Sequence, residues 1–173
     1  TLFGDGAAAV VLEKSNDKKS GIINFKHQMY VEGIRAAEIP GGHIRKWVKD
    51  YKYDPKIHHF QMDSRNLLRL TLKYLPEFIH DFFKDTGTSW PEVSWTVPHQ
   101  ASKTGLNMIP KIAKVDPAQV VNILRETGNC ISASIPMGIH KLMSEEKLKK
   151  GETLFICGTS AGFSIGSLLY IHD

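Results

Sequence analysis

The sequence predicts an α/β fold, with helices packed on the faces of a mixed β-sheet. Two observations lead to this prediction. Beyond residue 60, segments with apolar residues at helical spacing alternate with short runs rich in Val, Ile and Leu. The chain then closes with two strand-like runs joined by the small residues GTSAG. With 173 residues, of which 42% are hydrophobic and 23% are charged, the chain can bury a sizeable core.

Residues 1–60 show no self-contained core, and we treat them separately from residues 61–173. The apolar run Ala7–Leu12 follows a glycine turn and predicts a buried strand. The segment Gly21–His27 predicts a second strand. From there to Phe60 the sequence is irregular and rich in aromatic residues, with a turn at Pro40–Gly42.

The next elements are predicted in chain order. Apolar residues at helical spacing from Leu67 to Phe82 indicate a helix, which Pro76 is expected to kink or divide. Val93–Pro98 is a strand. A helix follows over Ala101–Ala113.

The last part of the chain repeats this alternation. The β-branched run Val120–Leu124 predicts a strand. The following helix has Ser134 as its expected N-cap and runs through basic residues towards a stop at Gly151. Thr153–Cys157 and Phe163–Ile171 are the closing strands.

Composition argues against several classes of function. The net charge is only +4, and the basic run around Lys147 lacks interleaved aromatics, so we expect no nucleic-acid partner. No apolar window is long enough to span a membrane, which favours a cytoplasmic protein. Cys130 and Cys157 do not form a CxxC pair, and His58 and His59 lack a third ligand at a diagnostic spacing, so we expect neither a metal nor another cofactor.

Two short motifs suggest other chemistries and fail on context. Gly4–Ala9 fits the dinucleotide pattern GxGxxA, but the residues after it resemble a strand rather than the required helix. Gly158–Gly162 fits the hydrolase pattern GxSxG, but a strand follows it, and no acid lies between Ser160 and His172. A tight turn and a hairpin loop are the better interpretations.

His99 is the strongest candidate for a functional residue, because it stands where a predicted strand ends. Asn129 follows Gly128 at the next strand-to-helix junction. Right-handed crossovers keep such strands parallel, so both junctions open on one edge of the sheet. An imidazole and a carboxamide that converge there could donate hydrogen bonds to one oxyanion, although a histidine after a strand is also a common structural feature.

Four strings together resemble a known family. FGDGAAAVVL, VPHQAS, GNCISASIP and GTSAGFSIGSLLY occur in the order and approximate spacing of the β-ketoacyl-[acyl-carrier-protein] synthase III family, which has a thiolase-like fold. The resemblance implies the second half of that duplicated fold, preceded within residues 1–60 by the last strand of the first half. It also implies condensation of an enzyme-bound acyl group with malonyl-acyl carrier protein, in fatty acid or related biosynthesis.

The same resemblance assigns roles to residues. It implies that His99 and Asn129 bind the malonyl thioester carbonyl as it becomes an enolate. It implies that the loop at Ala161 and Gly162 offers backbone N–H groups to the acyl carbonyl, although the family usually has glycine where Ala161 stands. Lys103 occupies the region where the family often has an arginine for carrier docking.

The family's nucleophilic cysteine has no counterpart here. Cys130 and Cys157 are expected to be packing residues, so the chain, which begins with Thr1, is interpreted as part of a longer homodimeric enzyme that uses acyl-CoA and malonyl thioesters. Two alternatives stay open. One is a partner subunit of the same fold that performs no condensation. The other is an acyltransferase in which His99 is a general base towards an alcohol.

Overall fold

The computed structural model describes residues 2–41, 54–160 and 162–173. Its strands and helices are β1 Gly21–Met29, β2 Ala37–Glu38, β3 Gln61–Met62, α1 Ser64–Phe83, β4 Trp95–Pro98, α2 Lys103–Ala113, α3 Leu124–Thr127, α4 Ser134–Ser144, β5 Thr153–Ser160 and β6 Ser164–Ile171. Short 3-10 turns connect several of them. Among these helices none combines the length and the apolarity needed to cross a bilayer.

The main sheet is mixed and has the strand order β1-β6-β5-β4. β4 runs parallel to β5, with Trp95 opposite Leu154 and Pro98 opposite Cys157. β5 and β6 are neighbours joined by residues 161–163, so they form the predicted closing hairpin. β2 and β3 pair as a separate two-stranded antiparallel sheet.

The chain contains two compact units. The first comprises Thr1–Lys26, Glu77–Gly158 and Gly166–Asp173. Its core includes an aliphatic cluster and an aromatic cluster. The aliphatic cluster contains Val97, Val121, Ile123, Leu142, Leu148 and Leu154. The aromatic cluster contains Phe78, Phe82, Phe83, Trp90 and Phe155.

The second unit comprises His27–Pro76 and Thr159–Ile165. The rings of Tyr30 and Tyr74 stack with centroids 4.0 Å apart, and the ring of fully buried Phe163 lies 5.7 Å from that of Tyr30. A Cβ atom on Gly33 would lie 2.0 Å from the Cβ of Phe163, so this contact requires glycine. The boundary predicted at residue 60 separates the two halves of the duplicated fold, which differ from these two compact units. That boundary stays a prediction.

The predicted strand at Ala7–Leu12 is wrong. Residues 4–14 form no strand in the structure, and the side chains of Val11 and Leu12 are 92% and 80% exposed. A strand is stable only when its backbone groups pair with a neighbour, and within the described ranges no strand lies alongside this run. In the part of the chain that the structure describes, the backbone pairing of this end of the chain is a single bridge between Phe3 and Asn129.

The predicted strand at Val120–Leu124 is reduced to one parallel bridge, between Val120 and Thr96. Leu124 instead begins α3. The amides of Ile123 and Leu124 donate to the side-chain Oε1 of Gln100, at 2.9 and 3.1 Å. Because these amides are bound by a side chain, they are unavailable for a strand ladder.

Three helix predictions need correction. Pro76 does not divide α1, which continues for 20 residues. The helix predicted from Ala101 begins at Lys103, because Ser102 is its N-cap and accepts from the amide of Gly105. α4 ends at Ser144, well before Gly151.

Ser134 was predicted as the N-cap of α4, and this prediction is also wrong. The N-cap position is Ala133, and Ser134 is the first residue inside the helix. Its hydroxyl points back to the preceding turn and donates to the carbonyl of Ile131 at 2.7 Å. The hydroxyl of Ser134 therefore does not cap the free amides at the start of α4.

Candidate functional site

His99 lies directly after β4 and is held from two directions. Its backbone N–H donates to the carbonyl of Cys157 at 2.8 Å, which extends the parallel pairing of β4 with β5 by one residue. Its ring Nδ1 is 2.8 Å from the hydroxyl oxygen of Ser134 at the start of α4. A Cβ atom on Gly158 would lie 3.0 Å from the Cβ of His99, so glycine at this position leaves room for the histidine. The ring is half-buried in a fixed position.

Asn129 is buried, and both ends of its carboxamide are bound. Oδ1 accepts from the amide of Ile131 at 2.9 Å, and Nδ2 donates to the carbonyl of Ala101 at 3.4 Å. Since Ala101 is two residues beyond His99, this second bond joins the two junctions that the sequence analysis singled out. The parallel bridge between Thr96 and Val120 agrees with the crossover argument that placed both junctions on one edge.

The backbone of Asn129 is fixed by the start of the chain. Its N–H donates to the carbonyl of Leu2 at 2.9 Å, and its carbonyl accepts from the N–H of Gly4 at 3.2 Å. A Cβ atom on Gly4 would lie 1.8 Å from the carbonyl oxygen of Thr127, and Gly128 has a φ of +69°. The glycines on both sides therefore allow two backbones to approach closely, which is a structural role for the first glycine of the GDG string.

Gln100 organises the loop between the two junctions, and the sequence analysis did not identify it. The residue is completely buried. Its Nε2 donates to the carbonyls of Pro98 and Val121 at 2.9 and 3.1 Å. Together with the two bonds accepted by Oε1 from Ile123 and Leu124, every hydrogen-bonding position of the carboxamide is used. The only signal in the sequence is a glutamine directly after a strand, which does not reveal such a network.

Burial sets the electrostatics of this region. Desolvation lowers the pKa of His99 below its ordinary value of 6.5, and a hydrogen bond to the carbonyl of Ile131 partly opposes this effect. Burial raises the pKa of the Cys157 thiol to about 12. The neutral forms of both groups are therefore favoured in the folded protein at neutral pH.

The remaining predicted site residues are placed as follows. Ala161 lies outside the described residues. Gly162 has a φ of +74°, which favours glycine. Lys103 is exposed in the first turn of α2. The roles proposed for all three stay predictions.

Both cysteines are buried, as expected of packing residues. Among the described residues, no three His, Cys, Asp or Glu side chains lie close enough to hold a metal ion. The segment after Gly158–Gly162 continues into β6 rather than into a helix, as the sequence analysis predicted. The hydroxyls of Ser160 and Ser164 are 2.7 Å apart.

The solved structures that share this fold include 3-oxoacyl-[acyl-carrier-protein] synthases of type III. A 3-oxoacyl-[acyl-carrier-protein] synthase III from Aquifex aeolicus matches with a TM-score of 0.75 and 21% identity, over 92% of this chain and 46% of its own. The synthase III from Pseudomonas aeruginosa gives a TM-score of 0.76 at 18% identity, over 92% and 47%. OleA from Xanthomonas campestris gives 0.72 at 22% identity, over 87% and 39%. The predicted thiolase-like α/β fold is confirmed.

The chain belongs to the 3-oxoacyl-[acyl-carrier-protein] synthase III family. The C-terminal model of this family matches residues 83–171, and its other model matches residues 1–30. A curated β-ketoacyl-[acyl-carrier-protein] synthase III from Koribacter versatilis is 28% identical over 97% of this chain and 51% of its own length. The corresponding protein of Agrobacterium fabrum is 28% identical over the same shares. The chain thus spans about half the length of the curated relatives that it matches.

Proposed function

We propose that these residues supply the malonyl-binding half of a decarboxylating acyltransferase, a 3-oxoacyl-[acyl-carrier-protein] synthase of type III. One observation carries the proposal. The carboxamide of Asn129 is bonded to the backbone of Ala101, so that the junction bearing His99 and the junction bearing Asn129 are joined. Membership of the family supports the same assignment.

The chemistry follows from charge development. Loss of carbon dioxide from a malonyl thioester leaves an electron pair that delocalises on to the thioester oxygen as an enolate. Hydrogen-bond donors aimed at that oxygen stabilise the enolate more than the neutral thioester and therefore lower the barrier. Asn129 keeps its amide orientation because Oδ1 is committed to the amide of Ile131, so Nδ2 has to be the donor.

The acylated nucleophile is expected outside these 173 residues. Cys130 and Cys157 are both buried, and the thiol of Cys157 has a pKa of about 12. A nucleophilic cysteine requires access to substrate and a thiolate at working pH, which this environment denies to Cys157. The acyl carbonyl of the acylated cysteine would be bound by backbone amides at Ala161 and Gly162.

The proposed partners follow from the same assignment. The substrates are an acyl-CoA and a malonyl thioester carried by acyl carrier protein, with exposed Lys103 contributing to docking of the acidic carrier. We propose that the native polypeptide, meaning the complete chain isolated from its source, is cytoplasmic and forms a homodimer. Neither a metal nor an organic cofactor is required by this chemistry.

The test compares two half-reactions in that native polypeptide. His99→Ala and Asn129→Asp remove or reverse the donors, so we expect malonyl decarboxylation to fall by about a hundredfold or more, since losing one such donor costs this much in other enzymes. Acylation by acyl-CoA, followed by intact mass, should continue in both variants.

Two exposed positions provide matched controls. His80→Ala removes a histidine that is 78% exposed on α1, and Asn122→Asp makes the same carboxamide change at an exposed position on the neighbouring loop. Both should decarboxylate normally. The proposal is wrong if His99→Ala loses acylation and keeps decarboxylation, or if Asn129→Asp retains a near-normal rate.

A further inference from the structure

The hydroxyl of Ser134 connects three groups of the candidate site. Its oxygen is 2.8 Å from Nδ1 of His99, 2.7 Å from the carbonyl oxygen of Ile131 and 3.4 Å from the backbone nitrogen of Gln100. Ser134 is completely buried, so water does not substitute for any of these partners. Each contact must therefore be assigned a donor and an acceptor.

Counting protons gives one consistent assignment. A hydroxyl has one proton to donate and two lone pairs that accept. The carbonyl of Ile131 can only accept, so it takes the proton of Ser134, and the backbone N–H of Gln100 can only donate, so it takes one lone pair. The remaining lone pair faces Nδ1 of His99, and this contact is a hydrogen bond only if Nδ1 carries a proton.

We propose that Ser134 is a positioning residue that keeps the proton of neutral His99 on Nδ1, so that Nε2 donates to a substrate oxygen only when the ring is doubly protonated. Nδ1 is the ring nitrogen that faces Ser134, at 2.8 Å, so Nε2 is the nitrogen that would face the substrate. A neutral ring with a lone pair on Nε2 would repel the oxygen of the thioester. The active form of His99 is then the imidazolium.

Among the residues that the structure describes, no charged side chain contacts His99 and favours that second proton. The contacts of His99 come from Ser134 on α4, the carbonyl of Ile131, and Cys157 with Gly158 on β5, and the thiol of Cys157 is neutral. The substrate itself carries the missing charge. The carboxylate of a malonyl thioester next to the ring favours its protonated form, so binding should take up a proton from solvent. This step rests on the proposed function.

The first experiment reads the tautomer without substrate. We would label the histidines of the native polypeptide with nitrogen-15, assign His99 by its loss in His99→Gln, and measure both ring nitrogens at a pH where the ring is neutral. The proton should be on Nδ1. In Ser134→Ala it should move wholly or partly to Nε2, whereas Ser134→Thr, which keeps a hydroxyl, should retain the native pattern.

Ser144→Ala is the matched control, because Ser144 lies on the same helix and donates the same type of backbone bond, to Lys141, on the exposed face. It should leave the His99 signals unchanged. A native His99 that carries its proton on Nε2 would overturn the proposal, and so would a Ser134→Ala spectrum identical to that of the native protein.

The second experiment separates this proposal from the proposed function. Decarboxylation by the native polypeptide should decline tenfold per pH unit above the pKa of His99 in the substrate complex, and Ser134→Ala should weaken that decline. A rate independent of pH, with the proton found on Nδ1, would refute the requirement for imidazolium. If the native polypeptide is acylated by acyl-CoA but does not decarboxylate the malonyl thioester, the proposed function is wrong. The assignment of the His99 tautomer is then still decided by the nitrogen-15 spectra alone.

Discussion

Replacing Gln100 with leucine should destabilise the protein more than most single substitutions. The two side chains are similar in size, so the change removes hydrogen bonds without opening a large cavity. The carbonyls of Pro98 and Val121 and the amide of Ile123 lose the partner that Gln100 provides. The amide of Leu124 loses one of its two acceptors, because it also donates to Oδ1 of Asn122 at 3.2 Å.

The magnitude follows from the cost of an unsatisfied group. A buried donor or acceptor without a partner costs about 1–3 kcal/mol. Taking the low end for each of these three groups gives about 3 kcal/mol, which is a large share of the roughly 5–15 kcal/mol that stabilises a typical domain.

Urea unfolding of the native polypeptide measures this difference in the free energy of unfolding, and hydrogen exchange at the amide of Ile123 shows whether the loss is local. Gln119→Leu is the matched control. Gln119 is half-buried, its Nε2 donates to Val93 and Ser94 at 3.3 and 3.4 Å, and its Oε1 accepts from the exposed amide of Asp116 at 3.1 Å. Water can replace these bonds, so the expected cost is about 1 kcal/mol. A Gln100→Leu variant that loses under about 1 kcal/mol, with the amide of Ile123 still protected, would refute the reasoning.

Two further predictions concern titratable groups. Because the pKa of Cys157 is about 12, iodoacetamide at pH 8 should leave this thiol unmodified in the native protein and alkylate it after denaturation. Peptide mass mapping measures the modification. Rapid alkylation of the folded protein would contradict the burial of the thiol. The lowered pKa of His99 means that, as pH falls below the unfolded value of about 6.5, the unfolded state binds a proton before the folded state does. The free energy of unfolding should therefore decrease from that pH downwards, less so in His99→Gln, and equal pH dependence of the two proteins would argue against a lowered pKa.

Patterns that depend on local sequence predicted much of this fold. The alternation of β4, α2, α4, β5 and β6 was correct because each element buries one face at its own period, which the sequence shows directly. Ala7–Leu12 has the same apolar signature, but a strand also needs a neighbour. The pattern of a single segment does not show whether that neighbour is present.

The residues of the candidate site also differ in whether local sequence reveals them. The positions of His99 and Asn129 at two neighbouring junctions could be predicted, because strand ends are recognisable and crossover handedness places both on one edge. Their roles stay predictions. Gln100 and Ser134 could not, because each acts through partners that are distant in sequence. Ser134 was even misassigned as a helix cap, since a serine before an apolar run is a typical cap and only its real partners distinguish the two roles.

The bond between the N–H of Asn129 and the carbonyl of Leu2 joins residues separated by most of the chain. Closing so long a loop is entropically unfavourable until other contacts have already brought its ends together. Contacts of this separation slow folding and tend to form after local ones. We therefore expect Asn129 to reach its final orientation late in folding, after the hairpin of β5 and β6, so that a partly folded molecule could hold much of its sheet while the candidate site is still incomplete.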